Sequence, residues 1–161
     1  MTSATQSQDG ARDFDFLLGR WHIVNRRLVA RLQNSQDWET FEASNNAWLL
    51  PGGIGNIDEY RSEHWPDFVG MTLRIHDPAS RKWSLYWVDN KGNALQPPVV
   101  GSFSKGVGVF EGSDVLRGQP VRVRFTWTVI DHYSARWEQA FSPDNGQTWE
   151  TNWTMAFSRD S

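Results

Sequence analysis

The sequence predicts an all-β protein: a single up-and-down antiparallel barrel of about ten strands, with a short helical turn ahead of it. Two observations carry this. The first is clean alternation of apolar and polar residues in the C-terminal third. Val121, Val123, Phe125, Trp127 and Val129 share one face against Arg122, Arg124, Thr126 and Thr128. Ala135, Trp137, Gln139 and Phe141 follow in the same phase with Tyr133, then Thr151, Trp153, Met155 and Phe157 with Trp149. One dry face and one wet face mark antiparallel strands. The second is turn chemistry at short spacing, with helical periodicity nearly absent. Sequential strands with one dry face close most simply into a barrel, which removes exposed edges. A two-sheet sandwich is the competing arrangement.

Taken in order, residues 1–12 form a Ser/Thr/Gln-rich stretch without an apolar core, expected to be a disordered tail. Asp13–Gly19 makes the helical turn, stopped by Gly19. Ten strand-like runs follow: Arg20–Val29, Trp38–Asn46, Gly55–Glu63, Phe68–Asp77, Lys82–Asp89, Leu95–Phe103, Gly106–Glu111, Val121–Ile130, Tyr133–Phe141 and Trp149–Ser158. Between them, Asp77-Pro78-Ala79-Ser80, Asp89-Asn90-Lys91-Gly92 and Arg117-Gly118-Gln119 are turn sequences, and Pro51-Gly52-Gly53 separates the second and third runs. Pro97-Pro98 marks the sixth as an irregular or edge strand. In the fourth run the apolar set is Val69, Met71, Leu73 and Ile75, expected inward; the phase of the third run is open. The domain is thus expected over residues 13–158, with 159–161 a tail.

The chain has 161 residues, enough for one domain with its own core. A net charge of −3 argues against nucleic acid and anionic membranes as partners, since neither basic patch nor apolar span is present. The expected location is the cytoplasm. Without cysteine there are no disulfides and no thiolate chemistry. His22, His64, His76 and His132 form no metal-binding spacing, so neither metal nor cofactor is expected.

Two motifs stand out. Ser142-Pro143-Asp144-Asn145-Gly146-Gln147-Thr148-Trp149 matches the S-x-D-x-G-x-T-W Asp-box pattern, which resembles a structural hairpin found on unrelated β folds. Phe14-Asp15-Phe16-Leu17-Leu18-Gly19-Arg20-Trp21, a short turn followed by Gly-x-Trp, resembles the start of calycin barrels, the lipocalin and fatty-acid-binding-protein type. With Trp83–Asp89 and Arg136–Ser142, the chain is similar to an uncharacterised bacterial family of calycin-like barrels, a domain of unknown function. That resemblance implies a β-barrel and no particular reaction. A nitrobindin-like haem barrel also starts with Gly-x-Trp, but the C-terminal histidine of that group has no counterpart in Tyr133–Ser161.

Ten tryptophans supply the functional lead. Trp83, Trp87, Trp127, Trp137, Trp149 and Trp153 fall on expected inner faces, where they either plug a wide barrel or wall a pocket for a flat or lipophilic molecule. Polar residues on such faces are Tyr133, Gln139 and Thr151, with Glu111 beside Val107 and Val109, and Asp58 with Tyr60 if the third run has that phase. A buried carboxylate there requires Arg27, Arg74 or a ligand. The candidate cavity residues are therefore Tyr60, Trp83, Trp87, Glu111, Trp127, Tyr133, Trp137, Gln139, Thr151 and Trp153. Binding of a small apolar or aromatic molecule is the leading expectation. Acid–base catalysis in the same cavity, through Asp58, Glu111, Tyr60 and His76, is the second. The third is an interaction module that forms a homodimer along the sixth run. Trp38 and Trp65 are candidates for stacking on carbohydrate.

Overall fold

The structure is a computed structural model and describes residues 10–160. Ten strands form the barrel: β1 (Gly19–Leu28), β2 (Trp38–Leu49), β3 (Gly55–Arg61), β4 (Val69–Asp77), β5 (Lys82–Asp89), β6 (Val99–Ser104), β7 (Val107–Leu116), β8 (Gln119–Asp131), β9 (Ser134–Ser142) and β10 (Glu150–Ser158). Each pairs antiparallel with its sequence neighbours, and β1 pairs with β10 to close the sheet. The up-and-down barrel is therefore as the alternation predicts. The irregular sixth run begins its strand after Pro98, and β6 is hydrogen-bonded on both sides, to β5 and to β7.

One end of the barrel is shut. A single 3-10 turn, Asp15–Leu17, carries Phe14 and Leu17 to full burial across that end. The Phe14 ring meets Trp83 at 5.0 Å, Phe103 at 4.9 Å and Phe110 at 5.5 Å, mostly edge to face. The Trp21 indole donates to the Leu17 carbonyl at 2.8 Å, tying the turn to β1. Most of the N-terminal tail expectation falls outside the described residues, but the Gly10 carbonyl accepts a hydrogen bond from the Trp83 indole at 3.0 Å. At the other terminus Arg159 lies over the Trp21 ring and donates to the carbonyls of Leu18 and His132.

The strand phases follow the expected alternation in β5, β8 and β9 and depart from it in three places. In β4 the inward residues are Gly70, Thr72, Arg74 and His76, while Met71, Leu73 and Ile75 face outward. The phase is set by Arg74, which neutralises Asp58 from β3 inside the barrel. The displaced aliphatics are half-covered on the outer surface by cross-strand neighbours, Ile57 and Tyr86 beside Leu73 and Val88 beside Met71. Gly70 is needed at its place, because a Cβ there would sit 2.2 Å from the Trp87 ring. In β7 the inward residues are Gly108 and Phe110, with Val107, Val109 and Glu111 outside. Phe110 completes the aromatic plug, 5.5 Å from Phe14 and 5.6 Å from Phe103, and Gly108 on the same face leaves room for the rings of Phe103 and Phe110. In β10 a bulge between Thr151 and Trp153 turns Asn152 inward. The extra residue shifts the alternation by one, which puts Thr151 on the outside and leaves Trp149 on the outer face under Arg124, 4.1 Å away.

Exposed turns are held by aspartates that accept hydrogen bonds from the next few residues. Asp77 takes the Ser80 hydroxyl and the Ala79 amide, and Asp131 the Ser134 hydroxyl and the Tyr133 amide. In the β9–β10 hairpin, Asp144 takes the Thr148 hydroxyl and amide, while Ser142 Oγ receives the Gly146 amide. These bonds hold the three carboxyls below the ordinary value of 3.8, Asp144 chiefly through the Thr148 hydroxyl. A folded-state value below the unfolded one gives stability that is present above the unfolded value and is lost as pH falls through the folded value. Asp144→Asn is therefore expected to melt below the natural chain at pH 7, with the difference closing as pH drops below about 4. A difference between the two melting curves that does not change with pH would refute this role for the carboxylate.

Candidate functional site

The plug fills only one end. Beyond it the barrel encloses a cavity of about 760 Å³, open at the opposite end. Its wall on β8, β9 and β10 is aromatic: Phe125, Trp127, Trp137, Phe141 and Trp153, with Met155 among them. Strand alternation delivers each ring to the same side. Trp137 is the hub, edge-on to Phe125 at 5.0 Å and to Trp153 at 5.7 Å. Leu85, Val99 and Val123 continue the apolar surface.

The facing wall, on β2, β3 and β4, is polar. Arg74 donates through Nη2 to Asp58 Oδ2 at 2.6 Å and through Nη1 to Asn56 Oδ1 at 3.1 Å. Asp58 also receives the Thr72 amide on Oδ1 at 3.0 Å and the Asn45 amide group at 3.4 Å. Both members of the pair are at most 5% exposed in their side chains. The Arg74 guanidinium lies 5.2 Å from the Phe14 ring and 5.7 Å from Trp127, so it forms the boundary between plug and cavity. Higher up, the Tyr60 hydroxyl and the Trp153 indole both donate to Asn25 Oδ1, at 2.9 and 3.1 Å. Burial raises the Tyr60 hydroxyl well above its ordinary value, outweighing the opposite effects of Asn25 and Arg27. Tyr60 thus stays a neutral donor. Gln139 donates to the inward Asn152 at 2.8 Å.

The open end is rimmed by the β3–β4 loop and the β1–β2 loop. In the first, His64 stacks flat on Phe41 at 4.2 Å and Trp65 stands edge-on to Trp153 at 6.1 Å. Phe68 stacks on Trp87 at 6.1 Å. Arg27, the inward residue after Asn25 on β1, places its guanidinium 5.0 Å from Trp153 and 5.6 Å from Trp65. Arg31 in the second loop lies 5.5 Å from the Phe141 ring.

Six of the residues singled out from sequence line this cavity: Tyr60, Trp87, Trp127, Trp137, Gln139 and Trp153. Trp83 is inside the barrel but belongs to the plug. Three others lie elsewhere. Glu111 is on the outer face of β7 for the phase reason given above, Thr151 is outside because of the β10 bulge, and Tyr133 is 52% exposed in the β8–β9 turn, before β9 begins. Of the residues considered for acid–base work, Asp58 has both oxygens engaged and His76 packs against Trp83 at the shut end. Trp65, considered for carbohydrate stacking, is a rim residue, whereas Trp38 lies outside the barrel under Arg26. Arg27, Arg31, Asn45, Phe68 and Thr72 also line the cavity, and sequence gave no direct signal for most of them. Arg27 was legible from the Trp21, Ile23, Asn25 alternation, which points the next odd residue inward.

No protein-family model matches the chain, and no curated protein sequence matches it.

Removing one member of a buried ion pair strands the other, at a cost of about 3–5 kcal/mol. Arg74→Met is therefore expected to lower the urea midpoint steeply. Adding Asp58→Asn to it should restore much of the loss. If the double variant were no more stable than Arg74→Met, the Asp58 charge would not be what Arg74 compensates.

Proposed function

We propose that this protein binds a small apolar or aromatic molecule inside the barrel. The observation that carries the reading is the cavity of about 760 Å³ with one continuous aromatic wall, Phe125, Trp137, Phe141 and Trp153. Ligand cavities commonly run to about 300–1,000 Å³, lined by aromatic and apolar side chains with a few fixed polar groups. The division of labour among the aromatic residues supports it as well. Phe14, Trp83, Phe103 and Phe110 pack one another at the shut end, whereas the β9 and β10 rings face open volume. The polar wall offers fixed partners, with Tyr60 and Gln139 held by Asn25 and Asn152. The resemblance of the N-terminal Gly-x-Trp segment to calycin barrels agrees with a role of this kind.

The test is a titration with a neutral fluorescent probe, N-phenyl-1-naphthylamine, read by its own emission and by energy transfer from tryptophan. Saturable binding at one site is expected. Val123→Trp, which puts a large ring into the cavity, should weaken it by about tenfold or more without lowering the melting temperature by more than a few degrees. Non-saturable binding, or binding indifferent to Val123→Trp in a folded variant, would remove the cavity from consideration.

A further inference from the structure

We infer that the molecule held in the cavity carries a carboxylate, which Arg27 and Arg31 bind at the open end while the apolar body lies against the Trp137 wall. This inference rests on the binding reading above and specifies the chemical class of its ligand.

Two guanidiniums at the open end are poorly matched by the protein's own acceptors. Arg27 Nε is buried without a hydrogen-bond partner among the described residues, as Arg74 Nε also is, so what sets Arg27 apart is how little its two outer nitrogens engage. Its one ionic contact is Nη1 to Glu39 at 3.6 Å, long for a charge-assisted bond, and Glu39 also serves His64 at 3.3 Å. The side chain is only 22% exposed, so water replaces the missing partner poorly. The outer nitrogens are thus left with one long contact in a half-dry place, and a carboxylate is the group whose two oxygens fit a guanidinium fork.

A second guanidinium adds to the same field. Arg31 is half-buried and lines the cavity beside Arg27, with no carboxylate within ion-pairing distance among the described residues. It is held near the rim by its backbone, because Arg117 donates to the Arg31 carbonyl at 2.8 Å and the next amide, of Leu32, donates to Glu150 at 2.7 Å. Its acidity is raised first by burial and then by the charge of Arg27, with Asp114 opposing less strongly. Asp67 and Asp114 are the acidic residues of the cavity rim, and neither forms an ion pair with Arg27 or Arg31.

Placement of the head group then follows from the walls. The other arginine that lines the cavity among the described residues, Arg74, already holds Asp58 and Asn56. An anion at depth would face the Asp58 carboxylate, while the region below the rim on the β8–β10 side is apolar. The head therefore sits at Arg27 and Arg31, and the body points inward. Both guanidiniums are backed by rings, Trp65 and Trp153 for one and Phe141 for the other, which fixes their planes for a planar partner.

The experiment compares 11-(dansylamino)undecanoic acid with its methyl ester, by dansyl fluorescence, on the full chain. The acid is expected to bind about tenfold or more tightly than the ester. Arg27→Gln and Arg31→Gln should each weaken the acid by about tenfold and leave the ester within about twofold, the ester also reporting that each variant is folded. Dodecanoate should displace the bound acid at lower concentration than dodecyl phosphate. Equal binding of acid and ester, or Arg variants that weaken both alike, would overturn the carboxylate inference while leaving the apolar cavity standing. Stronger displacement by dodecyl phosphate would overturn the choice of carboxylate. Failure of both acid and ester to bind would overturn the cavity reading itself.

Discussion

The ion pair of Arg74 with Asp58 is the constraint on which the interior depends. A ten-stranded barrel is wider than its side chains can fill from the walls. Here the shut end is filled by an aromatic plug, and the plug stops where the Arg74 guanidinium meets Phe14 and Trp127. The same pair fixes the phase of β3 and β4 together, since Asp58 and Arg74 must both point inward to meet at 2.6 Å. Once they do, Asn45, Asn56 and Thr72 complete their hydrogen bonds and one wall of the cavity is polar by construction. Aliphatic residues of β4 are displaced to the outer surface as a consequence, where their cross-strand neighbours half-cover them.

That trade explains which parts of the molecule were legible in the sequence. In β8 and β9 the apolar set and the inward set coincide, so Val123, Trp127 and Trp137 could be placed by counting in twos. In β4 they are opposite. Counting puts Leu73 and Ile75 inside, and only a charge partner on the neighbouring strand reverses it. Pair interactions between strands are invisible to a one-strand pattern, though a possible partnership of Asp58 with Arg74 can be read from their charges. The β10 bulge is beyond sequence for a different reason. Thr151, Asn152 and Trp153 carry no glycine or proline to mark an extra residue, and the signal exists only in the pairing with Ala140 and Gln139. β7 lies between these cases. Gly108 facing the rings of Phe103 and Phe110 is a local clue that this face is crowded and inward, and it competes with two valines on the other.

The rim was the least legible part, because loops build it. Trp65 and Phe68 reach the opening through the β3–β4 connection, whose shape is set by the Ser62 hydroxyl on the Glu42 carbonyl and by Asn90, which accepts the Val69 amide and donates to the Asp67 carbonyl. None of these partners is adjacent in sequence. A periodicity argument therefore reaches the aromatic walls and the polar residues carried on strands, Arg27 and Gln139 among them, but not Arg31, Trp65 and Phe68, which loops bring to the rim.

Comparing the arginines separates support from recognition. Arg159 spends its guanidinium on the Leu18 and His132 carbonyls and on the Trp21 face, and in doing so seals the shut end. Arg74 spends two of its three nitrogens on Asp58 and Asn56 and holds two strands in phase. At both, two nitrogens meet acceptors that the fold supplies, although Arg74 Nε is buried without one among the described residues. Arg27 is as constrained as either, lying between two indoles, yet its acceptors within the protein are reduced to one distant carboxylate oxygen. Arg31, beside it, has a ring behind it and no carboxylate within ion-pairing distance among the described residues, the charge of Asp114 acting on it from farther away. Ordering a guanidinium costs side-chain entropy, and the fold recovers that cost at Arg74 and Arg159 through hydrogen bonds. At Arg27 and Arg31 it does not, and both lie where the cavity opens. The protein's own acceptors engage two nitrogens each of Arg74 and Arg159, and the carboxylate proposed above would do the same for Arg27 and Arg31.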